Sequence, residues 1–327
     1  MSGVGQWDPD QRAGGAEPSC AERGGVGSGG FGLSKAHILP WRGAEAVVAG
    51  GGRLLECGLE RRKEKRRGGG KRGMIGPFSR AARRRMMKVM NRIDRRQVLG
   101  PPLFVSLTVP GGAPAHWVPF ARRFKRDLEA FLKRFWRFAE FGFPGAFVVW
   151  RLEPQKRGAP HLHLLIFNVP YLDHALVSTW WWEIVGSGDP EHLKAGTRVE
   201  ACRTWEKAGY YMAKYMAKPS DESGWVNPFL HESYAAAYTE EEIRQVMSLW
   251  ENPGRWWGVR HRERLPYVPE VWAMTRKAFY RLRRLARKVA EVQTKGRYRM
   301  RMQDRFSAFL SSEESSRALA FVGAWRV

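Results

Sequence analysis

The stretch Phe147-Val-Val-Trp-Arg-Leu-Glu-Pro-Gln-Lys-Arg-Gly-Ala-Pro-His-Leu-His-Leu-Leu-Ile-Phe167 decides how the rest of this chain is read. An apolar, β-favouring run from Phe147 to Trp150 leads into a polar centre with Lys156, Arg157, Gly158 and Pro160, and His161 to Phe167 resumes the strand signal. Two such runs around a Gly/Pro turn predict an antiparallel hairpin. Side chains alternate faces along a strand, so His161 and His163 share one side while Leu162 and Leu164 take the other. Pairing across the turn brings Glu153 beside the two imidazoles. Two histidines and a carboxylate with open coordination positions can hold a catalytic divalent ion. The same pair can also be two hydrogen-bonded side chains on a half-solvated face, and the hairpin alone leaves both readings open.

Toward the C-terminus lies Ala208-Gly-Tyr-Tyr-Met-Ala-Lys-Tyr-Met-Ala-Lys-Pro219. Its alanines, methionines and lysines favour helix, Thr204 can cap it and Pro219 stops it. Tyr211, Tyr215 and Lys218 then share one face, with Tyr210 turned about 100° away and Lys214 partly so. Tyrosines at this spacing can equally line a core with their hydroxyls in water.

Around these stretches the pattern predicts a strand over Leu103–Val109 ended by Pro110-Gly-Gly-Ala-Pro114. An amphipathic helix then runs through Phe120, Phe124, Leu128, Phe131, Phe135 and Phe138, and a second over Leu172–Val185. A strand over Thr197–Cys202 and a last strand in Gly254-Arg-Trp-Trp-Gly-Val259 complete the set. Strands interleaved with helices around a hairpin suit an α+β fold, with a central antiparallel sheet and helices packed on it. Trp180-Trp-Trp182 on a helix points in different directions and reads mainly as core. Trp256 and Trp257 point to opposite faces of their strand.

The chain has 327 residues, with Lys+Arg 56 against Asp+Glu 32, a net charge of +24. Such a surplus implies a polyanionic partner, nucleic acid by default. No apolar run is long enough to span a membrane. Cys20, Cys57 and Cys202 are odd in number and far apart, which suits a reducing cytoplasm and no disulfide framework. Residues 1–97, rich in glycine and arginine, are expected to be a largely disordered basic segment. Within them Arg80 to Arg96 can form a short helix on nucleic acid or on the domain, and Met74 is an alternative start. Residues 98–265 form the main domain and 266–327 a basic helical extension. In that extension Leu282, Leu285, Val289 and Val292 make the apolar stripe, with Pro269 near the helix start.

The order strand motif, His161-Leu-His163, then Tyr211-x-x-x-Tyr215-x-x-Lys218 resembles the HUH endonucleases, in the two-tyrosine arrangement of rolling-circle replication initiators of phages and plasmids. Phe104-Val-Ser-Leu-Thr-Val109 and Gln155-Lys-Arg-Gly-Ala-Pro160 strengthen the likeness, which covers roughly residues 100 to 265. The resemblance implies a metal-dependent DNA endonuclease and nucleotidyltransferase. In it His161, His163 and Glu153 hold Mg²⁺ or Mn²⁺, with Glu140 or Asp189 as other candidates for the third ligand. Tyr211 or Tyr215 attacks single-stranded DNA at a replication origin to leave a 5′-phosphotyrosine, and Lys218 or Lys214 supports the phenolate or phosphate. Candidate nucleic-acid contacts are Arg157, Arg255 and Trp256, with Arg283, Arg284 and Arg287 on the C-terminal helix. No phosphate-binding Gly-x-x-x-x-Gly-Lys-Ser/Thr loop occurs, since Gly68-Gly-Gly-Lys71 is followed by Arg72. A host helicase, DNA polymerase and single-strand binding protein are therefore expected partners, in the cytoplasm of a bacterial host. A two-tyrosine transposase, or a non-catalytic basic nucleic-acid-binding protein, would carry the same residues.

Overall fold

The computed structural model of the chain describes residues 43–59, 78–205, 208, 225–227, 229–293, 295–296 and 303–327. All of them belong to Arg42–Val327, one compact unit distinct from Met1–Trp41. In chain order the described elements are strands β1 (Ala44–Gly50) and β2 (Leu55–Leu59), helix α1 (Arg80–Arg92), strand β3 (Leu103–Thr108), helices α2 (Pro114–Ala121) and α3 (Phe124–Gly142), and the hairpin β4 (Phe147–Pro154) and β5 (Pro160–Phe167). Helices α4 (His174–Val185) and α5 (Pro190–Ala195) and strand β6 (Thr197–Ala201) follow, then β7 (Trp225–Asn227), β8 (Leu230–His231), α6 (Glu232–Ala235) and α7 (Glu240–Ser248). The chain finishes with β9 (Trp257–Arg260), β10 (Val268–Met274), α8 (Arg276–Gln293), β11 (Arg305–Ala308), α9 (Ser312–Phe321) and β12 (Trp325–Arg326).

The expected hairpin is the centre of an antiparallel five-stranded sheet ordered β6-β3-β5-β4-β9. Alternation places Val105, Leu107, Trp150, Leu152, Leu162, Leu164 and Ile166 on one face, buried beneath Phe124, Leu128, Phe131 and Phe135 of α3 and Val177 and Trp181 of α4. The α+β fold read from the sequence is thus the observed one. The phenylalanine stripe is split in two, because Pro119, which cannot donate a backbone hydrogen bond, lies in the last turn of α2, and α3 restarts at Phe124. Trp181 is fully buried and donates from Nε1 to the Thr108 carbonyl, 2.6 Å away, so the tryptophan triplet is core, as its directions suggested. The hairpin turn needs Gly158, whose φ is +84° and where a Cβ would lie 2.3 Å from Val246 Cγ1.

A second five-stranded antiparallel sheet, β11-β2-β1-β10-β12, was not foreseen. Its central strands β1 and β2 come from residues 44–59, which were expected to be disordered, and every residue of β1 pairs with β10, from Ala44↔Met274 to Gly50↔Val268. Alanine and glycine dilute the apolar signal of Ala44-Glu-Ala-Val-Val-Ala-Gly50, and only its distant partner supplies the rest of the core. Ala46, Val48, Leu55 and Cys57 are buried against Phe279, Leu282 and Ala286 of α8 and Leu319 of α9. Pro269 lies in β10 and not at a helix start; Thr275 fills that role, its hydroxyl accepting from the Ala278 amide at 3.2 Å. The apolar stripe of α8 also shifts: Val292 is exposed, while small Ala278 and Ala286 sit close against the sheet.

Helix α1 joins the two sheets. Met86 and Met90 pack with Phe104, Phe147, Leu165 and Phe167 of the first sheet, while Lys88 (2.7 Å) and Arg92 both bind the Glu56 carboxylate of the second. The helix expected near Arg80–Arg96 thus lies on the domain. Just beyond it Asp94, fully buried, holds the Arg96 side chain by two hydrogen bonds of 3.0 and 2.9 Å, and its backbone amide donates to the Pro266 carbonyl.

Candidate functional site

The face of the first sheet opposite α3 and α4 changes character along its length. One end is apolar, with Phe104, Phe147, Val149, Leu165 and Phe167 under α1. The other end is polar. Pairing puts Ser106 and Arg151 on either side of His163, and Thr108 and Glu153 on either side of His161. Since cross-strand partners share a face, the register alone gathers one hydroxyl, one guanidinium, two imidazoles and a carboxylate.

Their contacts give each group a state. The His161 and His163 rings stand edge to face with centroids 4.4 Å apart. His163 is almost fully buried and stacks on Phe104 at 5.2 Å; its Nδ1 lies 3.1 Å from Ser106 Oγ and its Nε2 lies 3.4 Å from Glu153 Oε2. Ser106 therefore fixes the ring and turns Nε2 toward the carboxylate. Burial, and then the neighbouring His163 and Arg157, push the His161 imidazole well below its usual pKa, so it is neutral near pH 7 with a lone pair to donate. Buried His161 Nδ1 and Glu153 Oε2 have no hydrogen-bond partner.

Orphaned buried atoms of this kind, on a neutral imidazole and a carboxylate, are what a divalent cation would satisfy. Glu153, His163 and His161 are adjacent pairwise, although among the described residues no three His, Cys, Asp or Glu side chains are yet drawn together as a metal-binding group. The other candidates for a third ligand are placed elsewhere. Glu140 is on α3, the helix beneath the opposite face, and Asp189 caps α5 by accepting from the Glu191 amide.

Two residues of this cluster had no role in the sequence reading. Ser106 was visible only as part of a strand motif, and alternation with Phe104 and Thr108 is the signal that would have placed it. Arg151 alternates with Glu153 in the same way. It is 4% exposed, its guanidinium lies 4.5 Å from the Phe78 ring, and burial, with the Arg83 charge adding to it and Glu153 opposing it, lowers its pKa to about 10.

Tyr211, Tyr215, Lys214 and Lys218 lie outside the described residues. The last described residue before them, Ala208, is buried in the same cluster as Phe104, Leu165 and Phe167, on the histidine face. Arg157 donates to the carbonyls of Pro110 (2.8 Å) and Val109 (3.1 Å) and to Gln155 (3.0 Å), which makes it a clamp between the hairpin turn and the end of β3. The Arg255 side chain is exposed, and its carbonyl accepts from Lys125. Trp256, expected as a base-stacking residue, is buried between parallel rings of Trp250 (5.4 Å) and Phe229 (6.1 Å). That correction follows from its parity: Trp256 belongs to the core under α2 and α3, while Trp257 packs on the histidine face. On α8, Arg283 lies over Tyr280 and donates to the Gln303 carbonyl, Arg287 pairs with Glu291, and Arg284 is exposed.

Residues 102–220 match a family model described as replication-associated protein, of the ORF2 type. No curated protein and no solved structure matches the chain. The matched stretch contains β3, the hairpin, the whole cluster around His163 and the tyrosine stretch, and it bears out the resemblance to rolling-circle replication initiators.

Proposed function

We propose that this chain, whose residues 102–220 match the family of ORF2-type replication-associated proteins, starts replication by nicking and rejoining single-stranded DNA at an origin. The observation that carries the reading is the cluster of His161, His163, Glu153 and Ser106 at the polar end of the sheet face on which Ala208 opens the tyrosine stretch.

His161, His163 and Glu153 are the residues that would hold Mg²⁺ or Mn²⁺, which when bound supplies positive charge to the scissile phosphate. The chain's own groups do the rest. Ser106 holds His163 in one orientation, and burial keeps His161 an uncharged donor. The phenol oxygen of Tyr211 or Tyr215 attacks phosphorus as the P–O3′ bond breaks, giving a 5′-phosphotyrosine while the 3′ oxygen takes a proton and leaves as a hydroxyl. A phenol with an ordinary pKa near 10 needs help to ionise, and Lys218 or Lys214 supplies it. The covalent bond conserves the energy for rejoining, and a second tyrosine can cut the new strand while the first holds the old end. Unwinding and synthesis fall to a host helicase, polymerase and single-strand binding protein in the cytoplasm of a bacterial host. No described helix is long and apolar enough to cross a membrane.

The test is incubation with Mn²⁺ and labelled single-stranded oligonucleotides containing the origin, resolved on a denaturing gel. The expected result is a covalent band that needs metal and is lost in His161→Ala, with Tyr211→Phe and Tyr215→Phe separating the two nucleophiles. DNA binding unchanged by EDTA with no adduct on any origin strand would overturn the proposal in favour of a non-catalytic binding protein.

A further inference from the structure

The second sheet and its helices carry a feature that nicking does not use. Ala278, Phe279, Leu282 and Ala286 seat α8 on the sheet, which leaves Lys277, Arg281, Arg284 and Lys288 exposed on the opposite side. At 100° per residue these four fall within a sector of about 60°, and at 1.5 Å per residue they span about 16 Å. None of the four is paired with a carboxylate among the described residues, and the one acidic residue of α8, Glu291, is taken by Arg287. A cationic face is ordinarily interleaved with acidic residues, as α3 is by Glu129 and Glu140 on its exposed side. On α8 this compensation is missing, so the stripe bears its mutual repulsion unrelieved.

The geometry points to a second nucleic-acid surface: we infer that the solvent face of α8 takes the phosphate backbone of duplex DNA, apart from the histidine face. Charge complementarity selects the partner, since a duplex carries a charge about every 1.7 Å of its axis, and a rigid row of cations about 16 Å long fits a linear array of phosphates. Duplex is favoured over single strand by what the face lacks. Single-strand sites add aromatic platforms to their cations, and the exposed residues of α8 include no aromatic, its Tyr280 lying half-buried under the Arg283 guanidinium at 4.8 Å. The contacts are to backbone, so they give affinity and orientation on the DNA flanking a nick without reading sequence.

The experiment measures binding of the full chain to a blunt-ended duplex in EDTA, where no cleavage can occur, across about 50–300 mM salt, with a single-stranded oligonucleotide in parallel. The variant K277Q/R281Q/R284Q/K288Q is compared with R122Q/K133Q/R137Q/K194Q, which removes the same number of exposed charges from the part built on the first sheet. Each lost phosphate contact lowers the slope of log affinity against log salt by about 0.9. The α8 variant is expected to lose about 3–4 from the duplex slope and more than about ten-fold in affinity near 100 mM salt, with R281K/R284K keeping both. Equal losses in the two quadruple variants would overturn the inference, because only total charge would then matter. A loss confined to the single strand would overturn it as well. Since binding is read without metal or cleavage, failure of the nicking proposal leaves this result interpretable.

Discussion

Ser106 shows how a residue with no chemistry of its own can govern a site. Its hydroxyl is the partner of His163 Nδ1 at 3.1 Å, and both side chains are buried, so removing it leaves an imidazole nitrogen without that bond in a place water scarcely reaches. Outer-sphere partners of metal-binding histidines typically contribute about 10–100-fold to affinity. Ser106→Ala is therefore expected to weaken Mn²⁺ binding by about ten-fold or more, at a stability cost of roughly 1 kcal/mol, with titration followed by paramagnetic relaxation as the measurement. Unchanged Mn²⁺ affinity would show that the serine is packing alone. His161, His163 and Glu153 were legible in the sequence because alternation and a short turn are local rules. Ser106 was not, because its partner is 57 residues away and only the register of β3 against β5 brings them together. Trp256 failed for the reverse reason: alternation assigned it a face but could not say which face was core.

At the level of elements, the hairpin, α4, β6 and the strand motif stand where their patterns put them, whereas the junction between α1 and the second sheet depends on one buried carboxylate. The hydrogen bond from Arg96 leads in holding the Asp94 carboxyl below its usual 3.8, at about 2; burial opposes this and Gln97 and the Arg96 amide add to it. Because the folded value is the lower one, the unfolded chain binds the proton more tightly, and stability falls as the pH falls. The contribution is complete above about pH 4 and is lost as the pH drops through about 2. Asp94→Asn is expected to lower the urea midpoint at neutral pH and to flatten its decline between about pH 4 and 2, measured by tryptophan fluorescence at a series of pH values. Parallel pH profiles for the two proteins would show that the carboxyl titrates alike folded and unfolded. A single Asp after a basic helix gave no sign of this in the sequence, since the groups that bury it come from Gly51 and Pro266, far apart in the chain.

The whole molecule is assembled across its own length. Strand β1 pairs residue by residue with β10, more than two hundred positions later, and β2 lies between β1 and β11. No window of sequence contains that sheet. Residues 44–59 read as a piece of a basic, glycine-rich segment because half of the core they complete is written at the other end of the chain. The Met74 start considered from the sequence now has a structural consequence. A chain beginning there would lack both β1 and β2, which stand between β11 and β10 in the sheet, and would uncover Phe279 and Leu282 of α8, each fully buried in the intact protein. Burying a large apolar side chain contributes roughly 1.5–3 kcal/mol, and isolated strands β10, β11 and β12 have no other partner among the described residues to replace what is lost. The first sheet keeps its strands and its core under α3 and α4, though α1 loses the Glu56 carboxylate that holds Lys88 and Arg92. Deletion of residues 1–73 is thus expected to leave a protein with early proteolytic cleavage beyond residue 266, and a urea m-value reduced in proportion to the surface that no longer folds. Limited proteolysis with mass identification of the fragments, beside urea unfolding of the full chain, makes the comparison. An unchanged m-value and a resistant C-terminal region in the shortened protein would mean that residues 266–327 fold without the N-terminal strands, and the second sheet would then be an addition to that unit and not its foundation.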